Sequence, residues 1–269
     1  MSTQVMQAPV ARLRETLLPQ RTPRVAFRKM VLNEARLAWR QPIGLLLGLG
    51  MPVLLLVIFG SLPAFRKHEA SLGGLTFFNV YLPILLALVI TALALWSLPA
   101  PLATYREQGI LRRLSTTPAP PPWLLAAQVV LNMAGAVVAL AIVLVVGIAA
   151  FGVHAPVSII GLLLSLALSI AGLLAIGLAI AAVAPGGQGA GAIGSASFFP
   201  LMFFAGLWVP RPEMPAALRD ISDYTPLGAS VQALQSSLFT GFPSATPLLV
   251  LAGYAVVFSV LAVRLFRWE

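Results

Sequence analysis

Cysteine is absent and histidine occurs only at His68 and His154, far apart in the chain. Disulfides and thiolate metal sites are therefore excluded, and no cluster of ligands with zinc-site spacing can be assembled. Charge is also scarce. Only 9% of the 269 residues are charged and only eight are acidic, whereas a soluble domain carries roughly 25% charged residues. So few charges cannot cover a water-facing surface of this size. The phosphate-cradling GxxxxGK(S/T) loop is missing, so the chain has no nucleotide-binding signature. The long apolar runs hold no HExxH, no paired Asp and no Ser/His arrangement, which argues against an intramembrane hydrolase. They also lack Asp, Glu, Lys and Arg until Arg264. Ion-coupled carriers and proton pumps need such groups at membrane depth, so the power for any transport must come from outside this chain.

What is present is hydrocarbon. Hydrophobic residues make up 59% of the sequence and the mean hydropathy is +0.95, values suited to a lipid-facing surface. The fold class expected is an all-α integral membrane protein. Residues 1–23 read as a flexible tail and residues 24–41 as an amphipathic helix on the membrane surface, with residues 42–269 forming the six-span body. On a helical wheel Lys29, Asn33, Arg36 and Arg40 share one face of the surface helix, while Phe27, Met30, Val31, Leu37 and Ala38 share another. Glu34 interrupts the apolar arc. It can pair locally with a neighbouring Arg or contact a partner protein. The first apolar run follows some forty Arg-rich residues, too long a leader for a secretory signal, so the first span is expected to be retained.

Spans are expected at about residues 42–62, 77–103, 122–151, 157–184, 192–209 and 247–266. Span 1 is bent or broken near Pro52 and contains Gly44-x-x-x-Gly48. Residues 115–210 carry no Asp, Glu, Lys or Arg, room for three helices of ~20 residues with their turns. Thirteen of the 17 basic residues fall on the side of the N-terminus and four on the other, which puts both termini in the cytoplasm. The net charge of +9 is thus a membrane-surface signal, and nucleic acid is not an expected partner. Gly161, Ser165 and Ser169, and Gly187, Gly191 and Ser195, form small-residue stripes that serve intrachain packing or a subunit interface. Gln128 and Asn132 lie on one face of span 3 and read as an interhelical hydrogen-bonding pair. Between spans 5 and 6, residues 213–240 hold two short helical stretches. The second is uncharged and amphipathic, suited to a re-entrant or outer-surface helix that lids the bundle.

Between spans 2 and 3, residues 104–118 contain Tyr105-Arg106-Glu107-Gln108-Gly109-Ile110-Leu111-Arg112-Arg113-Leu114 followed by Ser115-Thr116-Thr117-Pro118. This short charged segment resembles the coupling helix of ABC-2-type transporter permeases. Downstream, Phe203-Phe204-Ala205-Gly206 with Pro210, then Tyr224-Thr225-Pro226-Leu227-Gly228 leading into Val231-Gln232-Ala233-Leu234, resemble the end of span 5 and the outer helices of the same family. The basic Leu-Arg-Arg-Leu form is most similar to drug- and antibiotic-export subunits of the daunorubicin-exporter kind.

The resemblance implies a homodimer of this chain working with two copies of a cytoplasmic ATP-binding-cassette ATPase. The chain itself would need no cofactor; ATP and magnesium would reside in the ATPase. The expected setting is a bacterial plasma membrane and the expected cargo an amphiphilic drug-like compound or peptide. Arg106, Glu107, Gly109, Leu111, Arg112, Arg113 and Leu114 would meet the ATPase, with Lys29, Glu34, Arg36 and Arg40 as surface-helix contacts. By the same resemblance Phe59, Asn79, Tyr81, Phe199, Phe203 and Trp208 would line the pathway, against a lipid-facing or interfacial role for each aromatic. Export of a glycan or lipid-linked precursor, and a non-transporting scaffold or immunity protein, are the competing readings.

Overall fold

The computed structural model describes residues 23–40, 50–66, 76–115, 120, 122–153 and 155–266. The regular elements among them are helices: α1 (Pro23–Arg40), α2 (Met51–Ser61), α3 (Phe77–Glu107), α4 (Ile110–Ser115), α5 (Pro122–Phe151), α6 (Ile159–Val183), α7 (Gly187–Ala205), α8 (Ala216–Tyr224), α9 (Pro226–Gln235) and α10 (Ala245–Leu265). The expected N-terminal tail, the Gly44-x-x-x-Gly48 pair and Thr117-Pro118 lie outside the described residues.

Four helices, α3, α5, α6 and α10, are long and apolar enough to cross a membrane. The chain is therefore an all-α, multi-pass membrane protein. The two other expected spans correspond to shorter or more polar helices. α2 has eleven described residues and carries Pro52 in its first turn, where the missing N–H costs no intrahelical bond. α7 opens with Gly187-Gln188-Gly189-Ala190-Gly191, which dilutes its hydropathy.

α3 is the axis of the bundle, and α2, α5, α6, α7 and α9 all pack on it. It is apolar on every side, and Leu85, Leu86, Val89, Ile90 and Leu95 are wholly buried, as a helix without a polar face must be. Thr76 caps its start by accepting from the Asn79 N–H at 3.1 Å. Near its other end Pro99 and Pro101 remove two N–H donors from the ladder. The chain answers with a π turn over Leu93–Ser97, in which the Leu98 N–H reaches Leu93 O at 3.0 Å. The carbonyls of Ala94 and Leu95 face Gly177 of α6 and Gly194 of α7, and a Cβ at either glycine would strike them. Two helices thus press backbone to backbone against the bulge, a packing that lipid favours because small residues maximise contact.

The second of the two short stretches departs from the expected lid. α9 is capped by Thr225, whose Oγ1 accepts from the Gly228 N–H at 3.1 Å. Leu227, Ala229, Val231, Ala233 and Leu234 are buried among α3, α6, α7 and α10. It packs within the core of the bundle. The residues after it join the small-residue stripe of α6: Ser165 Oγ lies 3.2 Å from Ser237 Oγ, and Gly161 faces Pro243 and Ser237. That stripe serves intrachain packing. Outside the core, Arg211 pairs with Asp223, which also accepts from Gln232 Nε2 at 2.9 Å.

The contrast between Gly194 and Gly191 gives a signed test. Alanine stabilises a helix by about 1 kcal/mol relative to glycine, and a Cβ at Gly191 meets nothing within 4 Å. Gly191→Ala is expected to raise the thermal midpoint in detergent. Gly194→Ala is expected to lower it, because overpacking costs about 1–3 kcal/mol.

Candidate functional site

Three consecutive residues at the end of α3 reach three different elements. α3 continues to Glu107, so Arg106 and Glu107 end a membrane helix, and the separate short helix is only Ile110–Ser115. Tyr105 Oη donates to Glu34 Oε2 of α1 at 2.9 Å. Arg106 Nη1 donates to Ala181 O at 3.0 Å and Ala182 O at 2.6 Å, and its Nη2 donates to Ala184 O. Glu107 Oε2 accepts from the Gly187 N–H at 3.2 Å. A guanidinium thus caps the end of α6, where unpaired carbonyls collect, and a carboxylate meets the beginning of α7, where unpaired N–H groups collect. Each charge has the sign that its helix dipole favours. A cleft of about 590 Å³ opens beside them, lined by Arg106, Glu107, Ala182–Pro185 and Leu265.

Gly109 makes the corner from α3 to α4. Its φ of +66° is one that residues with a Cβ rarely adopt, and its N–H closes the turn on Arg106 O at 3.0 Å. No atom crowds the position, so the glycine is there for the turn and not for a close approach of another backbone. From α4, Leu111 is buried with Leu124, Ala182 and Phe266, and Leu114 packs against the same group. Arg112 and Arg113 are exposed.

Glu34 corrects the sequence expectation. It is 5% exposed and accepts from Tyr105 and from Gln128 Nε2, the latter at 2.6 Å. Among the described residues its partners are neither a neighbouring Arg nor an outward surface: the arc it interrupts is the face that packs on the bundle. Burial raises its carboxyl above the usual range, and the two hydrogen bonds pull the other way. Gln128 therefore does bond between helices, but to α1. Asn132 instead donates to Gln128 O within α5 at 2.9 Å. On α1, Lys29, Asn33 and Arg36 are exposed and share the outer face, and Arg40 is the last residue of the helix.

The expected pathway residues fall into two groups. Phe59 and Tyr81 meet at 5.0 Å between ring centroids, with Phe65 stacked on Phe59 at 4.9 Å. Asn79 is half-buried in the first turn of α3. Phe199 and Trp208 lie nearly parallel at 6.3 Å and are 59% and 51% exposed. Phe203 is half-buried and packs edge-on against Phe204. Sequence reading passed over Trp96, whose ring is 4.5 Å from Phe198. Its indole nitrogen is buried without a partner among the described residues. A lone Trp in an otherwise aliphatic stretch was the available signal.

The family model for the ABC-2 type transporter matches residues 25–239, which takes in all but the first two residues of α1 and continues through α9, the corner at Gly109 included. A comparison with curated proteins returned no match. The chain belongs to the ABC-2 type transporter family. It is a membrane permease component of an ATP-binding-cassette transporter, in a family whose ATP hydrolysis takes place in an associated ATPase.

Two outcomes follow from this geometry. Arg106→Ala removes three charge-assisted bonds and is expected to destabilise the protein by about 2–3 kcal/mol. Glu107→Ala removes one long, exposed bond and is expected to cost much less; thermal unfolding of both variants in detergent checks the order. The second outcome concerns pH. A carboxyl whose acidity is weakened by folding binds its proton more tightly when α1 is docked. Docking is therefore strongest below the ordinary value of 4.5 and weakens as pH rises from there through the raised value. Tryptic cleavage within α1 should accelerate over that window at constant protease activity.

Proposed function

We propose that the chain is one half of a homodimeric exporter, driven by two cytoplasmic ATPase subunits, that moves an amphiphilic drug-like compound or peptide out of a bacterial cell. In this reading the chain crosses the plasma membrane six times, with α2 and α7 completing the set, and both termini face the cytoplasm. The observation that carries the proposal is the three-way grip of Tyr105, Arg106 and Glu107 immediately before α4. A push on α4 would reach α1, the end of α6 and the start of α7 together. Arg112 and Arg113 are exposed on α4 and suited to acidic groups on an ATPase. Phe199 and Trp208 supply an exposed aromatic face on and just beyond α7, the kind of surface that an amphiphilic cargo can share at a dimer axis.

The test is reconstitution with the ATPase that co-purifies. Exposed ion pairs are worth ~1 kcal/mol or less each, so Arg112→Glu alone is expected to be tolerated. Arg112→Glu with Arg113→Glu is expected to weaken ATPase association by roughly tenfold. Gly109→Val forces a β-branched residue to positive φ and is expected to leave ATP hydrolysis running while export falls. Robust ATP hydrolysis by the isolated chain, or full export from both variants, contradicts the proposal.

A further inference from the structure

We propose that Glu34 is a positioning residue that latches the surface helix α1 to the coupling end of the spans through hydrogen bonding at one oxygen, and not through its charge. The inference rests on the coupling role proposed above for the α3–α4 corner and extends it to α1.

Glu34 is the one buried residue with an ionisable acidic or basic side chain among those described. Among the described residues no ion pair joins it; the pair found there is Arg211 with Asp223. A carboxylate taken out of water without a cation is strongly disfavoured, whereas a neutral acceptor in the same place is not. Both of its bonds end on Oε2: Tyr105 arrives from α3 and Gln128 from α5. One carbonyl-like oxygen with two lone pairs satisfies both donors. Among the described residues both hydrogen bonds end on Oε2 and none on Oε1, so an amide nitrogen placed at Oε1 displaces neither.

The apolar contacts around the latch have the same reach. Phe27 of α1 meets Trp123 of α5 edge-on at 6.0 Å. Met30 packs on the group formed by Leu111 of α4, Leu124 of α5, Ala182 of α6 and Phe266. Apolar packing alone tolerates sliding, because it has no preferred direction. The shared oxygen adds direction, fixing the register of α1 against two spans at the residue next to Arg106. α1 and the coupling corner then move as one body.

The test uses the absence of cysteine in the wild-type chain. Docking is read from the yield of a short bifunctional thiol reagent joining Phe27→Cys to Trp123→Cys in membranes. Coupling is read separately as export per ATP hydrolysed, in the full complex without the cysteine pair. Glu34→Gln keeps the shared acceptor and is expected to stay within about twofold of wild type in both. Glu34→Ala leaves two donors unpaired, and both readouts are expected to fall roughly tenfold. Tyr105→Phe removes one bond without touching Glu34 and is expected to fall between them, so the inference remains testable if Glu34→Ala does not fold. Glu34→Gln failing as badly as Glu34→Ala overturns the inference, because charge would then be required. Undiminished crosslinking in Glu34→Ala overturns it too, as does lost crosslinking with coupling intact. If the wild-type complex shows no coupled ATP hydrolysis, it is the coupling role that has failed, and crosslinking in Glu34→Gln against Glu34→Ala decides the latch alone.

Discussion

The guanidinium of Arg106 against the end of α6 is the contact on which the arrangement of this end of the bundle depends. A helix leaves its last four carbonyls without intrahelical donors, and three carbonyls at this end, those of Ala181, Ala182 and Ala184, are collected by one side chain from another helix. The next residue, Glu107, meets the first N–H of α7. α6 and α7 are joined by a short turn through Ala184, Pro185 and Gly186, so the two charges hold both sides of one corner. Tyr105 extends the hold to α1. Sequence adjacency does the mechanical work: three side chains on one helical turn point three ways, and none can move far without the others.

The rest of α3 is consistent with a rigid transmitting element. It is buried on all sides, and its bulge at Leu93–Ser97 is backed by Gly177 and Gly194, so two neighbours touch its backbone directly. Closely packed backbones carry displacement with little loss, because interiors of this density are hard to compress. The aromatic surface of α7 and the residues after it begins about a dozen residues from the Glu107 contact, on a helix whose first N–H is bonded to the corner. On the proposed reading, that is how a push at α4 alters the face that meets cargo.

Much of this was legible before the fold was known. Uninterrupted aliphatic runs locate α3, α5, α6 and α10, because hydropathy over some twenty residues has few alternative readings. The Arg-Glu-Gln-Gly sequence falls at the corner, and positive φ at Gly109 is what a glycine between two helices supplies. What escaped was pairing at long range. Nothing in the local pattern tells Glu34 that its partners are Tyr105 and Gln128, which lie 71 and 94 residues away. A wheel shows only that it sits among apolar neighbours, and charge suggests exposure. The place of α9 was left open for a related reason: short, uncharged amphipathic helices bury equally well against a surface or inside a bundle, and neighbours decide. The start of α7 at Gly187 escaped as well: the expected span begins at about residue 192, because the glycines near the helix start dilute its hydropathy.

The central claim is that α4, the end of α6 and the start of α7 move as a single body when the ATPases close. Paired spin labels in the assembled transporter test it most directly, one pair at positions 112 and 188 and a second at positions 188 and 224. Adding ATP under trapping conditions should leave the first distance unchanged and shift the second. A change between 112 and 188, with 188 to 224 held constant, would mean that α4 moves independently of α7, and the account would be wrong.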